Sequence, residues 1–141
     1  MAEPPPGFER HFRASPLTDP WEPLWSKRDG EGFVLALEIA TPHTNARGLA
    51  HGGLIAALAD NAMGLACVLA SDGLSGIVTV SLTVDMIASA RIGDWVEFRA
   101  RPVRVGRRLA FGDCLIAAPD RLIARASGVF SVPPPPDQRP A

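Results

Sequence analysis

A strong charge of either sign is missing from this chain of 141 residues. Its 14 basic and 15 acidic residues give a formal net charge of -1 at pH 7. The sequence contains no block rich in lysine and arginine, so it does not indicate binding to nucleic acid. It also has no acidic tail that would indicate a solvating segment. A chain of this length is expected to form one domain with a sizeable core.

Cysteine is also scarce: the chain has two, Cys67 and Cys114. Cys67 lies in an apolar segment and Cys114 in a run typical of a strand, so the two form neither a zinc-binding pair nor a disulfide framework. Free cysteine is commonly buried in proteins. We therefore expect both residues to be small buried hydrophobic side chains, and we expect no metal site.

Targeting and membrane-spanning segments are not indicated either. Residues 1–16 have no apolar core and no basic leader, which a signal peptide needs. The apolar segment 54–70 is shorter than the roughly 20 residues of a membrane span, and Asp60 and Asn61 would lie near the bilayer centre. The sequence therefore predicts a cytoplasmic protein that binds neither membranes nor nucleic acid.

Proline is abundant at both ends of the chain, in runs at 4–6 and 133–136. Such runs do not fit a helix or a central strand and favour extended chain. We therefore expect a flexible N-terminal tail over 1–20, a single domain over 21–132 and a flexible C-terminal tail over 133–141.

The pattern between the tails predicts two strands, one helix and about four further strands. Two apolar runs flank a glycine-containing turn within 21–39, which favours a hairpin. The apolar segment 54–70 ends at Ser71-Asp72-Gly73, a typical helix stop. Strand-like stretches follow, at 76–89, 95–105, 109–118 and 121–132. This order predicts an α+β fold with an antiparallel sheet. A helix that is apolar on nearly every side must be buried all round, and the hotdog fold, an antiparallel sheet wrapped around one long central helix, would bury it.

Asp60 is the unexpected residue of this helix, because its neighbours are small or apolar and none of them is basic. A carboxylate in such a place loses hydration, which costs stability unless hydrogen bonds compensate. Asp60 either caps another group or faces a water-filled rim, or it is a base or nucleophile in an apolar pocket. The residue pattern alone leaves both interpretations open.

Gly52 and Gly53, at the start of the helix, give a second candidate for chemistry. The first N–H groups of a helix carry partial positive charge, and glycine lets a carbonyl oxygen approach the backbone closely. A tight turn that merely requires glycine is the alternative. Gly52 and Asp60 are separated by about 12 Å along a helix, so they can act on one carbonyl group only if they come from different subunits. The catalytic hypothesis therefore requires at least a dimer.

The motif that combines these residues resembles the PaaI-type hotdog acyl-CoA thioesterases. The resemblance covers roughly residues 30–132, and it includes the strand, turn and strand of 78–111. Its motif positions are Asn45, Gly48, His51, Gly52, Gly53, Ala59, Asp60 and Asn61. The resemblance implies an enzyme that hydrolyses an aryl- or medium-chain acyl-CoA, a homodimer or homotetramer, and no cofactor beyond the CoA of the substrate.

The resemblance also implies roles for individual residues. Asp60 would be the nucleophile or the general base, and Gly52 of the partner subunit would polarise the thioester carbonyl through its N–H. Asn45 would hold the lytic water or orient the thioester, and Thr79 would lie near the carboxylate. His51 would fix the loop by a hydrogen bond.

Substrate binding is less well defined by the sequence. The loop residues His51 and Gly53 are candidates, and four arginines could bind the CoA phosphates, although each arginine could equally be a solvated surface charge. These arginines are Arg47, Arg91, Arg107 and Arg108. A non-catalytic acyl-CoA sensor is the alternative function. A hotdog dehydratase is disfavoured because no histidine follows His51, and a serine hydrolase because no G-x-S-x-G motif is present.

Overall fold

The computed structural model describes residues 3–135, 137 and 140. The outermost positions of the two predicted tails therefore lie outside the described residues, as does Pro136 within the C-terminal proline run. One α-helix, α1, spans Gly52–Leu69, and short 3-10 helices span Asp19–Trp21 and Thr41–His43. The strands are β1 (Glu9–Arg10), β2 (Trp25–Asp29), β3 (Gly32–Glu38), β4 (Val78–Met86), β5 (Trp95–Val105), β6 (Leu109–Ala118) and β7 (Arg121–Ser131).

All seven strands form one antiparallel sheet in the order β1-β2-β3-β5-β6-β7-β4, and α1 packs on one face of it. The predicted α+β hotdog fold is therefore confirmed, as is the β2–β3 hairpin. Gly32 in that hairpin must be glycine, because an added Cβ would lie 2.7 Å from the carbonyl oxygen of Ala100 in β5. A side chain at position 32 would push the hairpin away from the rest of the sheet.

The helix is buried on one side only, which corrects the expectation that it is buried all round. Leu58, Ala59, Ala62 and Met63 are fully buried against the sheet. The opposite side is half-buried and carries mostly small or polar residues at a spacing of three or four, namely Ala56, Ala57, Asp60, Asn61, Gly64 and the apolar Val68. In contrast to the expectation from segment 54–70, α1 is long and apolar enough to span a membrane, but half of it is buried inside the domain.

The N-terminal segment, predicted to be a flexible tail, packs against the domain from Phe8 onward. Phe8 is buried on the face of the sheet opposite α1, against Val34 and Ala36. β1 then pairs with β2, and Thr18 is 2% exposed. The proline run at 4–6 suggested a tail, but the buried aromatic ring that follows it holds the segment on the sheet.

β4 forms one edge of the sheet and is exposed along almost its whole length. Its pairing with β7 shifts register between Thr79 and Ser81, which is a β-bulge. Across the bulge Thr79 pairs with Phe130, a core residue. Because paired residues in antiparallel strands project on the same side, the bulge turns Thr79 toward α1.

Candidate active site

The Asp60 carboxylate and the Thr79 hydroxyl are in direct contact. Thr79 Oγ1 donates a hydrogen bond of 2.6 Å to Asp60 Oδ1. Strict alternation along β4 from Met86 would place even-numbered residues on the helix side, so this contact depends on the bulge. Asp60 Oδ2 has no hydrogen-bond partner among the residues that the structure describes.

A cavity of about 270 Å³ opens beside Asp60. Thr79, Phe130 and the exposed side of α1 line part of it, and the N-terminal segment lines the rest. We call this cavity with Asp60 and Thr79 the Asp60 half-site. It combines a carboxylate with an apolar wall, which is the usual make-up of a small-molecule site.

The start of α1 presents a free donor at Gly52. His51 is the N-cap of the helix, and its Nδ1 accepts a 2.8 Å hydrogen bond from the Gly53 N–H. The Gly52 N–H is exposed and has no acceptor among the described residues. His51 and Gly53 therefore shape the loop, while the N–H of Gly52 remains available to a ligand at the positive end of the helix dipole.

Asn45 lies in the loop before α1, and the oxygen of its side-chain amide is hydrogen-bonded within that loop. Oδ1 accepts hydrogen bonds from the N–H groups of Arg47 at 2.9 Å and Leu49 at 3.2 Å. Two backbone donors identify this atom as the oxygen. The amide Nδ2 has no partner in the part of the chain that the structure describes, so Asn45 can offer a ligand a donor.

Asn45 and Gly52 line a second cavity, of about 210 Å³, together with Arg47 and Met86. We call this cavity the Gly52 half-site. The structure thus brings Asp60 and Thr79 together in one cavity, and Asn45, Arg47 and Gly52 together in another. One chain does not combine the two groups.

The other candidate arginines are divided between the two ends of the sheet. The backbone of Arg91 forms an isolated antiparallel β-bridge with Leu49, next to the Gly52 half-site. Arg107 and Arg108 lie in the turn between β5 and β6, where the Arg108 carbonyl accepts a hydrogen bond from the Val132 N–H at the end of β7. Within one chain, these three residues do not form a single binding site.

Arg121 holds the loop beside the Gly52 half-site and was missed by the sequence reasoning. Its guanidinium donates to the Ser89 carbonyl and to Asp94, and the Ala90 carbonyl accepts a 2.8 Å hydrogen bond from the Ala50 N–H just before α1. Burial alone would raise the pKa of Asp94, but hydrogen bonds from the Arg91 N–H and from Arg121 outweigh burial and lower it. Since Arg121 and Asp94 are far apart in sequence, no local pattern indicates the pair.

The two cysteines are buried, as predicted. Burial raises the pKa of the Cys67 thiol. Burial and the charge of Asp113 raise the pKa of Cys114 to about 12. Both thiols stay protonated at neutral pH, so neither is activated as a nucleophile.

The antiparallel sheet packed on α1 defines a hotdog-fold protein, and the polar groups beside that helix form its candidate active site. Residues 47–124 match the family described as the thioesterase superfamily, and the chain belongs to that superfamily. The predicted enzyme class, a thioester hydrolase, is thereby confirmed.

Three relatives show where the chain lies within the superfamily. A candidate esterase of Pseudomonas aeruginosa is 40% identical over 134 residues, which is 94% of this chain and all of that protein. Human acyl-coenzyme A thioesterase 13 is 32% identical over 65% of this chain and 66% of its own length. A variant of the phenylacetic acid degradation protein PaaI from Thermus thermophilus has a TM-score of 0.73 at 28% identity, over 83% of this chain and 98% of that one. The resemblance to PaaI-type proteins is confirmed.

Proposed function

We propose that this protein hydrolyses an acyl-CoA thioester to a free acid and CoA, in active sites that two subunits share. The human relative is an acyl-coenzyme A thioesterase, which supports the substrate class. The observation that carries the shared site is the separation of the Asp60 half-site from the Gly52 half-site. Each half-site holds groups that hydrolysis needs, and neither is sufficient alone.

In the proposed mechanism, Thr79 holds Asp60 Oδ1 and Oδ2 does the chemistry. As a nucleophile, Oδ2 adds to the thioester carbonyl, the C–S bond breaks, CoA leaves as a thiolate, and water then hydrolyses the mixed anhydride. As a general base, Oδ2 takes a proton from a water molecule that attacks the same carbon. Both routes yield one free acid and one CoA, and neither requires a cofactor.

The Gly52 half-site of the partner subunit would stabilise the charge that develops on the carbonyl oxygen. The unpaired N–H of Gly52 at the helix N-terminus is suited to this oxyanion. Asn45 has only Nδ2 free, so it would donate to the same oxygen or orient the lytic water as a donor. This refines the role of Asn45, because the Oδ1 atom is already occupied.

Edge strand β4 is the proposed dimer contact. Asp85 is its one charged residue, and Val78 and Val80 are 63% and 61% exposed, whereas natural edge strands are usually short or protected by charge. Thr79 near one end of β4 contacts Asp60, and Met86 at the other end lines the Gly52 half-site. Antiparallel pairing of two β4 strands about a two-fold axis would therefore bring Gly52 of one subunit toward Asp60 of the other.

Arg47 and Arg91 are the arginines that we assign to the CoA phosphates, because both lie beside the Gly52 half-site. Arg107 and Arg108 could contribute only from the far end of a neighbouring subunit. An aryl or medium-chain acyl group, pairing of dimers into a tetramer and a cytoplasmic location remain parts of the proposal.

The first test is a panel of acyl-CoA substrates with the wild type and the Asp60→Asn variant. We expect the wild type to hydrolyse at least one aryl or medium-chain acyl-CoA and the variant to lose that activity while keeping its oligomeric state. Full activity of Asp60→Asn would refute the proposed chemistry. Tight binding of acyl-CoA by the wild type without hydrolysis would instead favour the sensor function.

The second test asks whether the site is shared, and uses Gly52→Pro. Proline is tolerated at the first position of a helix, and His51 already has the extended backbone, with φ -69° and ψ 134°, that precedes proline. The substitution removes the N–H, whereas the control Gly52→Ala keeps it. Removal of such a donor lowers kcat by about 100- to 1,000-fold.

Co-expression of Gly52→Pro with Asp60→Asn then separates a shared site from a site within one chain. In a mixed dimer, one of the two sites combines an intact Asp60 with an intact Gly52. Random assembly should therefore restore about a quarter of wild-type activity from two inactive proteins. No recovery in a preparation shown to contain mixed dimers would contradict the shared site.

A further inference from the structure

The cavity beside Asp60 has one apolar wall and one polar wall. The apolar wall comes from Leu65 and Val68 of α1 with Phe130. The polar wall consists of His11, Arg13 and Ser15, three side chains of the N-terminal segment. A ligand that fills this cavity must match both walls.

The polar wall is held in place on both sides. Before it, β1 pairs with β2, and the His11 N–H donates a 2.8 Å hydrogen bond to the Leu24 carbonyl. After it, Ser15 and the buried Thr18 share a 2.9 Å hydrogen bond between their hydroxyl groups. The segment between these anchors is therefore a fixed part of the cavity.

The unpartnered charged group of the polar wall is Arg13, a hydrogen-bond donor. The Arg13 guanidinium forms no hydrogen bond or ion pair with the residues that the structure describes. His11 Nδ1 lies 3.1 Å from Ser26 Oγ. Burial, opposed by Glu22 and assisted by Arg13, lowers the pKa of His11, so the ring is neutral at pH 7. Either atom of the His11–Ser26 pair can donate, so Arg13 is the defined donor of this wall.

In the proposed complex, the acyl group of the substrate, and not CoA, lies against the polar wall. Arg47 and Arg91 lie beside the Gly52 half-site, which places the CoA phosphates on the partner's side of the shared site. From Asp60 the cavity continues along α1 to Val68, about 12 Å away along the helix. The chain that extends from the thioester carbonyl away from CoA would occupy this space.

We propose that the preferred acyl group is a medium-length apolar chain that ends in a carboxylate, bound by Arg13. This inference rests on the proposed function and names its substrate class. A guanidinium matches a carboxylate with two parallel hydrogen bonds, and the apolar wall contacts the methylene groups. Arg13 is an exposed residue, so beside an unsubstituted fatty acyl group its guanidinium would stay hydrated and contribute nothing to acyl binding.

The test compares adipyl-CoA with hexanoyl-CoA, whose acyl chains have equal length and differ in the terminal carboxylate. The wild type should prefer adipyl-CoA. Arg13→Gln should raise KM for adipyl-CoA about tenfold and leave kcat and both constants for hexanoyl-CoA unchanged. Arg13→Lys should recover part of the loss, and Arg13→Glu should raise KM for adipyl-CoA further.

Arg10→Gln is the matched control. It removes the same charge from the same segment, but Arg10 lies over the Trp25 ring and pairs with Glu22 outside the cavity. This control should hydrolyse both substrates like the wild type.

Binding to the Asp60→Asn protein gives a readout that does not depend on hydrolysis. In that background adipyl-CoA should bind more tightly than hexanoyl-CoA, and the addition of Arg13→Gln should remove the difference. Equal affinity for the two ligands would overturn the proposal, and so would an equal loss for both on Arg13→Gln, which would assign Arg13 to the CoA phosphates. Neither result would affect the role of Asp60, which the Asp60→Asn activity test decides separately.

Discussion

At the scale of single residues, the hydroxyl of Thr79 decides which oxygen of Asp60 is free. Its 2.6 Å hydrogen bond engages Oδ1 and leaves Oδ2 without a hydrogen-bond partner among the described residues. A carboxylate on a half-exposed helix side would otherwise sample several rotamers. Orientation of this kind contributes to rate without contributing much to stability.

Thr79→Val tests this role, because valine keeps the shape of threonine and lacks the hydroxyl. We expect kcat/KM to fall about tenfold, the loss of one hydrogen bond to a charged group, with little change in Tm. Thr79→Ser is the control and should keep most of the activity. Unchanged kinetics of Thr79→Val would show that Asp60 needs no such orientation.

Asp94 gives a prediction about pH. Because its pKa is lowered in the folded protein, its contribution to stability is complete above the unfolded pKa and is lost as pH falls through the folded value. Asp94→Asn should therefore reduce the free energy of unfolding at pH 7, and the difference from the wild type should be smaller at about pH 3, where the carboxylate of the unfolded chain is largely protonated.

Urea denaturation at the two pH values measures this effect. Asp120→Asn is the control, since Asp120 also pairs with Arg121 but its side chain is 74% exposed, and exposed pairs contribute little. A difference between Asp94→Asn and the wild type that persists undiminished at low pH would contradict the assignment.

At the scale of elements, the sequence predicted what depends on local periodicity. Alternation along 95–105 and the apolar segment 54–70 each matched an element within a few residues. The side of α1 that stays exposed was not predicted, because alanine and glycine are compatible with a core and with an interface. The bulge in β4 was missed as well, since it depends on pairing with a distant strand.

The same limit applies to the N-terminal segment and to the loop beside α1. Phe8 packs against residues of β3 and against Trp25 and Trp95. These contact residues all lie outside 1–20, so the sequence of that segment does not predict the packing. Asn45 was identified from its motif, but the commitment of its oxygen follows from a loop conformation in which Gly48 has φ +75°. Contacts between segments distant in sequence determine these features.

At the scale of the whole molecule, the exposed β4 edge predicts that a charge there separates the subunits. Val80→Lys places an ammonium group on the edge, in a position where Val80 is 61% exposed, so the fold of one chain should tolerate it. We expect light scattering to show a monomer and the activity to fall close to background, because each chain would hold only half of a site.

Val103→Lys is the matched control for this experiment. Val103 is 58% exposed but lies in β5, inside the sheet. This variant should keep both the oligomeric state and the activity of the wild type. A monomeric Val80→Lys protein with full activity would contradict the shared site.

The proposed division of the site between two chains also has a genetic consequence. A chain that lacks only Asp60, or only Gly52, still completes one site when it assembles with an intact chain. A chain that carries both Asp60→Asn and Gly52→Pro spoils both sites of any dimer that it enters. At equal expression such an allele would leave about a quarter of the dimers active. It would therefore be dominant over the intact gene, whereas either single substitution would cost only a share proportional to its dose.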